Sequence, residues 1–280
     1  MIANRIGFAL ISFNRVQYLE QTLRSLEAQT HLDGVDFHLW QDGYVNRFSG
    51  KLYAEPQEIT ACVDEFKRAR LPNKHFHVRT ANVGTAINQF VALEYMVNNY
   101  EYVVMCEDDV VLSPHWLRLT RVLFEQIEDR EDVFSFSLGF RKVCPEEGIE
   151  QNLNQLVFGT PHWWCEAIIS ERWARARPHF MEYYELVKEV DYRHRPIADI
   201  LSLFGEKGWQ QTSTSQDGGR DMSVWAAGMR RLAAVVNRGI SIGERGTHFY
   251  PAKFKAMGFD QQEPYVFESD GEMEAFEVPG

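Results

Sequence analysis

The chain has 280 residues, 45% hydrophobic and 25% charged, with a formal charge of -11. That is enough apolar material for one large α/β domain, or a domain with a smaller lobe. The negative balance excludes polyanion binding as the main activity, so nucleic acid is not an expected partner.

The opening MIANRIGFALISF has an apolar stretch of about eight residues, too short for a signal or spanning segment, and no later window approaches a membrane span. Ile6 to Phe13 is predicted as a strand. Val16, Leu19, Leu23 and Leu26 then recur at helical spacing up to Gln29, completing one βα unit. Val35 to Gln41 is a second strand, ended by an Asp42-Gly43 turn. Pro56 to Ala69 is a helix with Ile59, Val63 and Phe66 on one face, and His75 to Arg79 is a third strand. Thr85 to Asn98, with Ile87, Phe90, Val91 and Tyr95 in register, is an amphipathic helix leading into the strand Tyr102 to Cys106. Such alternation implies a parallel sheet, right-handed crossovers and ligands beyond the strand carboxyl ends. Pro114 to Glu128 is a further helix and Val133 to Leu138 a further strand, after which mixed structure covers one side of the sheet. The tail from Gln261 is acidic, with no Lys or Arg; a flexible end and an acidic flap are both open readings. Cys62, Cys106, Cys144 and Cys165 are widely spaced and form no CxxC pair, so reduced thiols in a cytoplasmic protein are expected.

The most specific stretch is YVVMCEDDVVLSPHWL, from Tyr102 to Leu117. A continuous apolar strand suits the middle of a sheet covered on both faces. It runs into Glu107, Asp108 and Asp109, about three negative charges within roughly 10 Å of chain. Oxygen ligands of this kind suit magnesium or manganese, which commonly reach protein through one or two carboxylates while a phosphate supplies the rest. The competing reading is a solvated turn with Asp109 or Ser113 capping the helix that opens at Pro114; the position at the end of a buried strand favours a ligand site.

The ordered series ISFNRVQYLEQTLRSLEAQ, LWQDG, NVGTAINQFVALEYM and YVVMCEDDVVLSP resembles the nucleotide-sugar half of GT-A fold inverting glycosyltransferases. EDD and the Gln41-Asp42-Gly43 turn look most like the N-acetylglucosaminyltransferase I type. NVGTAIN is similar to the wider glycosyltransferase family 2-like group. The resemblance covers roughly Ile6 to Leu117. It implies an α/β fold with a mostly parallel, Rossmann-like central sheet and helices on both faces. Residues 1–117 would form a nucleotide-sugar-binding half, 118–260 an acceptor-binding and catalytic-base half, and 261–280 the tail.

The same resemblance implies roles residue by residue. Ser12, Asn14 and Arg15 would lie against the nucleotide, with Arg15 on a phosphate, and Asp42 would accept from uracil. Asp109 would bind Mn2+ or Mg2+ directly, Asp108 would sit near the ribose or a metal-bound water, and Glu107 near the donor sugar. Asn82 and Gly84 match a helix entry, but Ile87 stands where many members carry a basic residue, so Asn88 is read as structural. Trp163 and Trp164 would stack on a sugar or fill a core, and Glu166 would meet sugar hydroxyls. The expected general base is Asp221, at the start of a helix, with Asp217 in a preceding Gly-rich loop as the other candidate. His248 is a candidate third metal ligand, competing with a plain surface His; Arg245, Lys253 and Lys255 could clamp a diphosphate. The implied activity is metal-dependent, inverting transfer of a hexose or N-acetylhexosamine from a UDP-sugar to a carbohydrate acceptor. A sugar-phosphate nucleotidylyltransferase is the alternative enzyme, although ISFNRVQYLEQ lacks the glycine it would want. A non-catalytic nucleotide-sugar-binding module is the alternative outside catalysis. Donor sugar, acceptor, oligomeric state and any peripheral membrane association stay open.

Overall fold

The computed structural model describes residues 5–139, 146–159, 164–246 and 250–280. The chain begins with β1 (Ile6–Ser12), α1 (Val16–Glu27), β2 (Val35–Gln41), α2 (Pro56–Arg68), β3 (Lys74–Val78), α3 (Thr85–Asn99) and β4 (Tyr102–Glu107). β1 lies between β2 and β4, parallel to both, and β3 extends the sheet beyond β2. The crossover through α1 leads to one side of β1 and the one through α3 arrives on the other. The carboxyl ends of β1 and β4 therefore flank a reversal of strand order, the place where such sheets open a crevice.

Four of the six remaining strands extend the same sheet. They are introduced by β5 (Val110–Leu112), α4 (Trp116–Ile127), β6 (Val133–Ser137), α5 (Glu146–Ile149), β7 (Leu156–Phe158) and β8 (Cys165–Ile169). Then come α6 (Ser170–Val187), α7 (Ile197–Glu206), α8 (Gln216–Ala226), β9 (Arg230–Ala234), β10 (Gly239–Ser241) and α9 (Pro251–Ala256). The strand order is β3-β2-β1-β4-β8-β6-β9-β7. β8 runs antiparallel to β4 and β6, β9 is parallel to β6, and β7 closes the sheet antiparallel to β9. β5 and β10 form a separate antiparallel ribbon. The α/β plan expected from the sequence is the one observed.

Side-chain alternation divides the core in two. Ile6, Phe8, Leu10, Tyr102, Val104 and Cys106 face α1, α2 and α4, whereas Ala9, Val103 and Met105 face α3, α6 and α8. Continuing that alternation turns Glu107 toward α3, where it meets Gln89. The acidic tail is packed: Arg238 and Asp270 form a fully buried bidentate pair at 2.9 and 3.0 Å, and Phe276 is buried. Among the described residues, no helix is long and apolar enough to cross a membrane. Cys62, Cys106 and Cys165 are buried free thiols; Cys144 lies outside the described residues.

Candidate active site

A cleft of about 540 Å³ opens where β1 and β4 end. One wall is the turn after β1, with Ser12, Phe13, Asn14 and Arg15; another is Glu107, Asp108 and Asp109. The two turns are tied together. Phe13 N donates to Asp108 Oδ2 at 3.2 Å, and Thr22 Oγ1 donates to Asp108 O while accepting from Val110 N. Arg15 forks across both aspartates, pairing through Nη2 with Asp108 and through Nη1 with Asp109 Oδ2 at 2.7 Å. The loop after β10 closes the site from outside, as Ile242 N donates to Asp109 O at 2.8 Å. A Cβ on Gly243 would stand 1.9 Å from Asp109 Oδ2, so only glycine lets the backbone approach this closely.

Electrostatics set the state of these acids. Burial works against the Arg15 charge, but Asp108, Asp109 and Glu107 outweigh it and hold the guanidinium above the usual arginine value. Burial, reinforced by Asp109 and Asp217, pushes the Glu107 carboxyl well above the usual carboxylate range. Burial also raises Asp109, with Arg15 opposing. Asp109 Oδ1 is buried and has no hydrogen-bond partner. An orphaned carboxylate oxygen beside carboxyls that resist ionisation fits a divalent cation. Among the described residues no three His, Cys, Asp or Glu side chains converge as a protein cage. A cation here would take most of its ligands from phosphate and water, as magnesium does.

Asp42 also lines the cleft, with its carboxylate already engaged. Its Oδ1 accepts from Gly43 N and Val83 N, both at 2.9 Å, and its Oδ2 from Asn82 Nδ2 at 2.9 Å and Gly84 N at 3.0 Å. Those four donors occupy the lone-pair positions of a carboxylate. Burial raises its pKa to about 6 against the pull of those donors. Asp42 thus braces the entry to α3, where Gly84 takes a φ of 82° beside Tyr192. Asn88 is likewise engaged, donating to Trp40 O and accepting from Arg79 Nε.

The two base candidates, Asp217 and Asp221, sit in different surroundings. Helix α8 is capped by Ser215, which puts Asp217 in its first turn rather than in a loop, and Asp221 in its interior. Asp217 lines the cleft; Asp221 is not among the lining residues and instead pairs with Arg231 at 2.6 Å. Arg231 also donates to Glu166 Oε1 at 2.8 Å. Glu166 is fully buried and bonded to Ser135, so it braces β8, β6 and β9.

Trp164 lines the cleft, edge-on to Phe259, and its carbonyl accepts from Glu107 N at 2.7 Å. Arg245 lines it as well, whereas Lys253 and Lys255 lie on α9 and do not line it. His248 and Trp163 lie outside the described residues.

Several lining residues carry no sequence signal. Gln89 Nε2 donates to Glu107 Oε1 at 3.1 Å and its Oε1 accepts from Arg220 Nη2 at 2.9 Å. At the far end, Asp191 accepts from Ser49 and Tyr53, and the Arg193 guanidinium lies 4.2 Å from the Tyr53 ring centroid. Only the fold brings these segments together.

No family model matches the chain, and no curated protein does. Among solved structures, TarS from S. aureus is similar at 9% identity over 86% of this chain, with a TM-score of 0.48. The mannosyltransferase PcManGT from Pyrobaculum calidifontis, in complex with GDP-Man and Mn2+, is similar at 11% identity over 81% of this chain and 73% of that one, with a TM-score of 0.46. The glycosyltransferase GlyE of Streptococcus pneumoniae is similar at 9% identity over 92% of this chain and 50% of that one, with a TM-score of 0.43. This chain spans 61% of the shorter TarS structure and 23% of the longer one. At identities this low, the chemistry of the cleft has to be read from its own residues.

Proposed function

We propose that this chain transfers a hexosyl or N-acetylhexosaminyl group, with inversion, from a uridine diphosphate sugar to a hydroxyl of a carbohydrate acceptor. One observation carries the reading: Asp217 and the Glu107–Asp109 turn line the same cleft, close enough for Asp217 to raise the Glu107 pKa. That arrangement supplies a donor-binding acidic rim and a separate carboxylate base.

In this reading Arg15 donates its forked guanidinium to the diphosphate. Asp109, with Asp108 beside it, would hold Mn2+ or Mg2+, and such an ion, when bound, neutralises charge on the departing diphosphate. Asp42 does not read the base but fixes the loop that does. Trp164 offers an aromatic face to the sugar. Arg220 at 3.0 Å and Gln216 at 3.3 Å both hold Asp217 Oδ1, which leaves Oδ2 to take the proton of the acceptor hydroxyl as that oxygen attacks the anomeric carbon. Asp221 and Glu166 hold the wall in shape through Arg231.

The test is a thermal-shift panel of UDP-glucose, UDP-galactose, their N-acetylated forms and GDP-mannose, with manganese, followed by transfer assays on any hit. A donor at a hundred times its dissociation constant stabilises by about 2.7 kcal/mol. If no nucleoside diphosphate sugar shifts the melting temperature, the reading is wrong.

A further inference from the structure

We infer that Arg15 is the resident counter-ion of the acidic rim, and that a divalent cation and the Arg15 fork are alternative occupants of Asp109. The inference rests on the nucleotide-sugar reading of the same cleft and adds an order to its binding events. In the structure the guanidinium takes one oxygen from each aspartate. Its Nη1 is enclosed by the glycine-bearing loop, with the Gly243 and Gly246 Cβ positions 3.2 and 3.1 Å away. Asp109 keeps a single buried oxygen, Oδ1, without a partner. A cation bound there, with Arg15 still in place, would face a like charge across one carboxylate.

The guanidinium has somewhere else to go. It lines the cleft, its side chain is 24% exposed, and it already lies 5.4 Å from the Tyr18 ring centroid. A diphosphate entering beside α1 offers it a better bidentate partner than two separate carboxylates. Once Arg15 turns to phosphate, both Asp109 carboxylate oxygens would be available to hold a cation. By linkage, diphosphate and cation then favour each other's binding. The free protein holds the cation poorly, and the donor brings the site into being.

The experiment is manganese binding to the full chain, without nucleotide, followed by electron paramagnetic resonance. Arg15→Gln should bind Mn2+ at least tenfold tighter than the unmodified protein, and Arg15→Lys, which keeps the charge but loses the fork, should fall between them. Adding Asp109→Asn to Arg15→Gln should abolish the gain. Equal Mn2+ affinity in the unmodified protein and Arg15→Gln, or a gain that survives Asp109→Asn, overturns the inference. If the gain appears as described but no nucleoside diphosphate alters Mn2+ binding in the unmodified protein, the competition at Asp109 stands and the nucleotide-sugar reading falls. Circular dichroism on each variant establishes that it is folded before its affinity is compared.

Discussion

Arg220 donates from Nη2 to Asp217 Oδ1 at 3.0 Å, and the same nitrogen donates to Gln89 Oε1 at 2.9 Å. Gln89 in turn donates to Glu107, so three elements, β4, α3 and α8, share one hydrogen-bonded chain between the acidic rim and the proposed base. Arg220 and Gln89 are both buried. Asp217 is thereby oriented by groups that water cannot readily replace.

Asp217→Asn should lower transfer turnover about 100-fold or more, the scale of a lost general base, while donor affinity stays within a few-fold. Asp221→Asn should do the opposite, keeping turnover near its starting value and costing about 1–3 kcal/mol of stability as Arg231 loses a partner beside buried Glu166. Steady-state kinetics and denaturant melts on both variants decide between them. A turnover collapse confined to Asp221→Asn would restore the assignment expected from the sequence.

Asp42→Ala should destabilise the fold by about 2–4 kcal/mol, because it strands the buried amides of Val83 and Gly43, the part-buried amide of Gly84 and the Asn82 side chain. Asp42→Asn should be little better, since its amide nitrogen would face N–H donors. Urea midpoints measure both. A nearly neutral Asp42→Ala combined with a large loss of UDP affinity would return Asp42 to the base-reading role.

Gly243→Ala places a methyl 1.9 Å from Asp109 Oδ2. The variant should lose at least tenfold in donor affinity and about 1–3 kcal/mol in stability, as overpacked sites do. Gly205→Ala is the control: it lies inside α7 with open space around its Cβ position, and should gain about 0.5–1 kcal/mol. Calorimetric titration alongside melts separates the two effects, and unchanged donor affinity in Gly243→Ala would refute the packing argument.

His38 gives the fold a pH dependence remote from the cleft. It is buried on β2, its Nδ1 is 2.9 Å from His77 Nε2, and its Nε2 is 2.8 Å from the Tyr100 hydroxyl. Burial first, then the neighbouring His75 and His77, with Arg5 adding and Asp36 opposing, lower its pKa to about 3. The unfolded chain takes up this proton near pH 6.5 and the native chain only near 3. The His38 contribution is therefore complete above about 6.5 and is lost as pH falls between those values. By pH 4.5 the loss amounts to about 2–3 kcal/mol. Urea midpoints at pH 7 and 4.5 should differ less for His38→Gln than for the unmodified protein; identical pH slopes would rule the mechanism out.

What the sequence determined by itself was the framework of the first half and the location of the acidic rim. Those features are local: helical recurrence of Val16, Leu19, Leu23 and Leu26, an unbroken apolar β4, and a carboxylate triplet at its end each follow from a few neighbouring residues. Tertiary structure decided which side chain meets which partner. Asp217 and Asp221 are four residues apart on one helix, and only the placement of α8 against β9 gives Asp221 to Arg231 and leaves Asp217 in the cleft. The Asp42 turn matches a ligand turn in sequence, while its carboxylate accepts from amides of residues 82–84, some 40 positions along the chain. Glu166 followed an aromatic pair in sequence but was carried into the sheet by β8. Periodicity reports which face of an element is apolar; it cannot report which distant donor reaches a carboxylate first, because that is fixed only when the crossovers close.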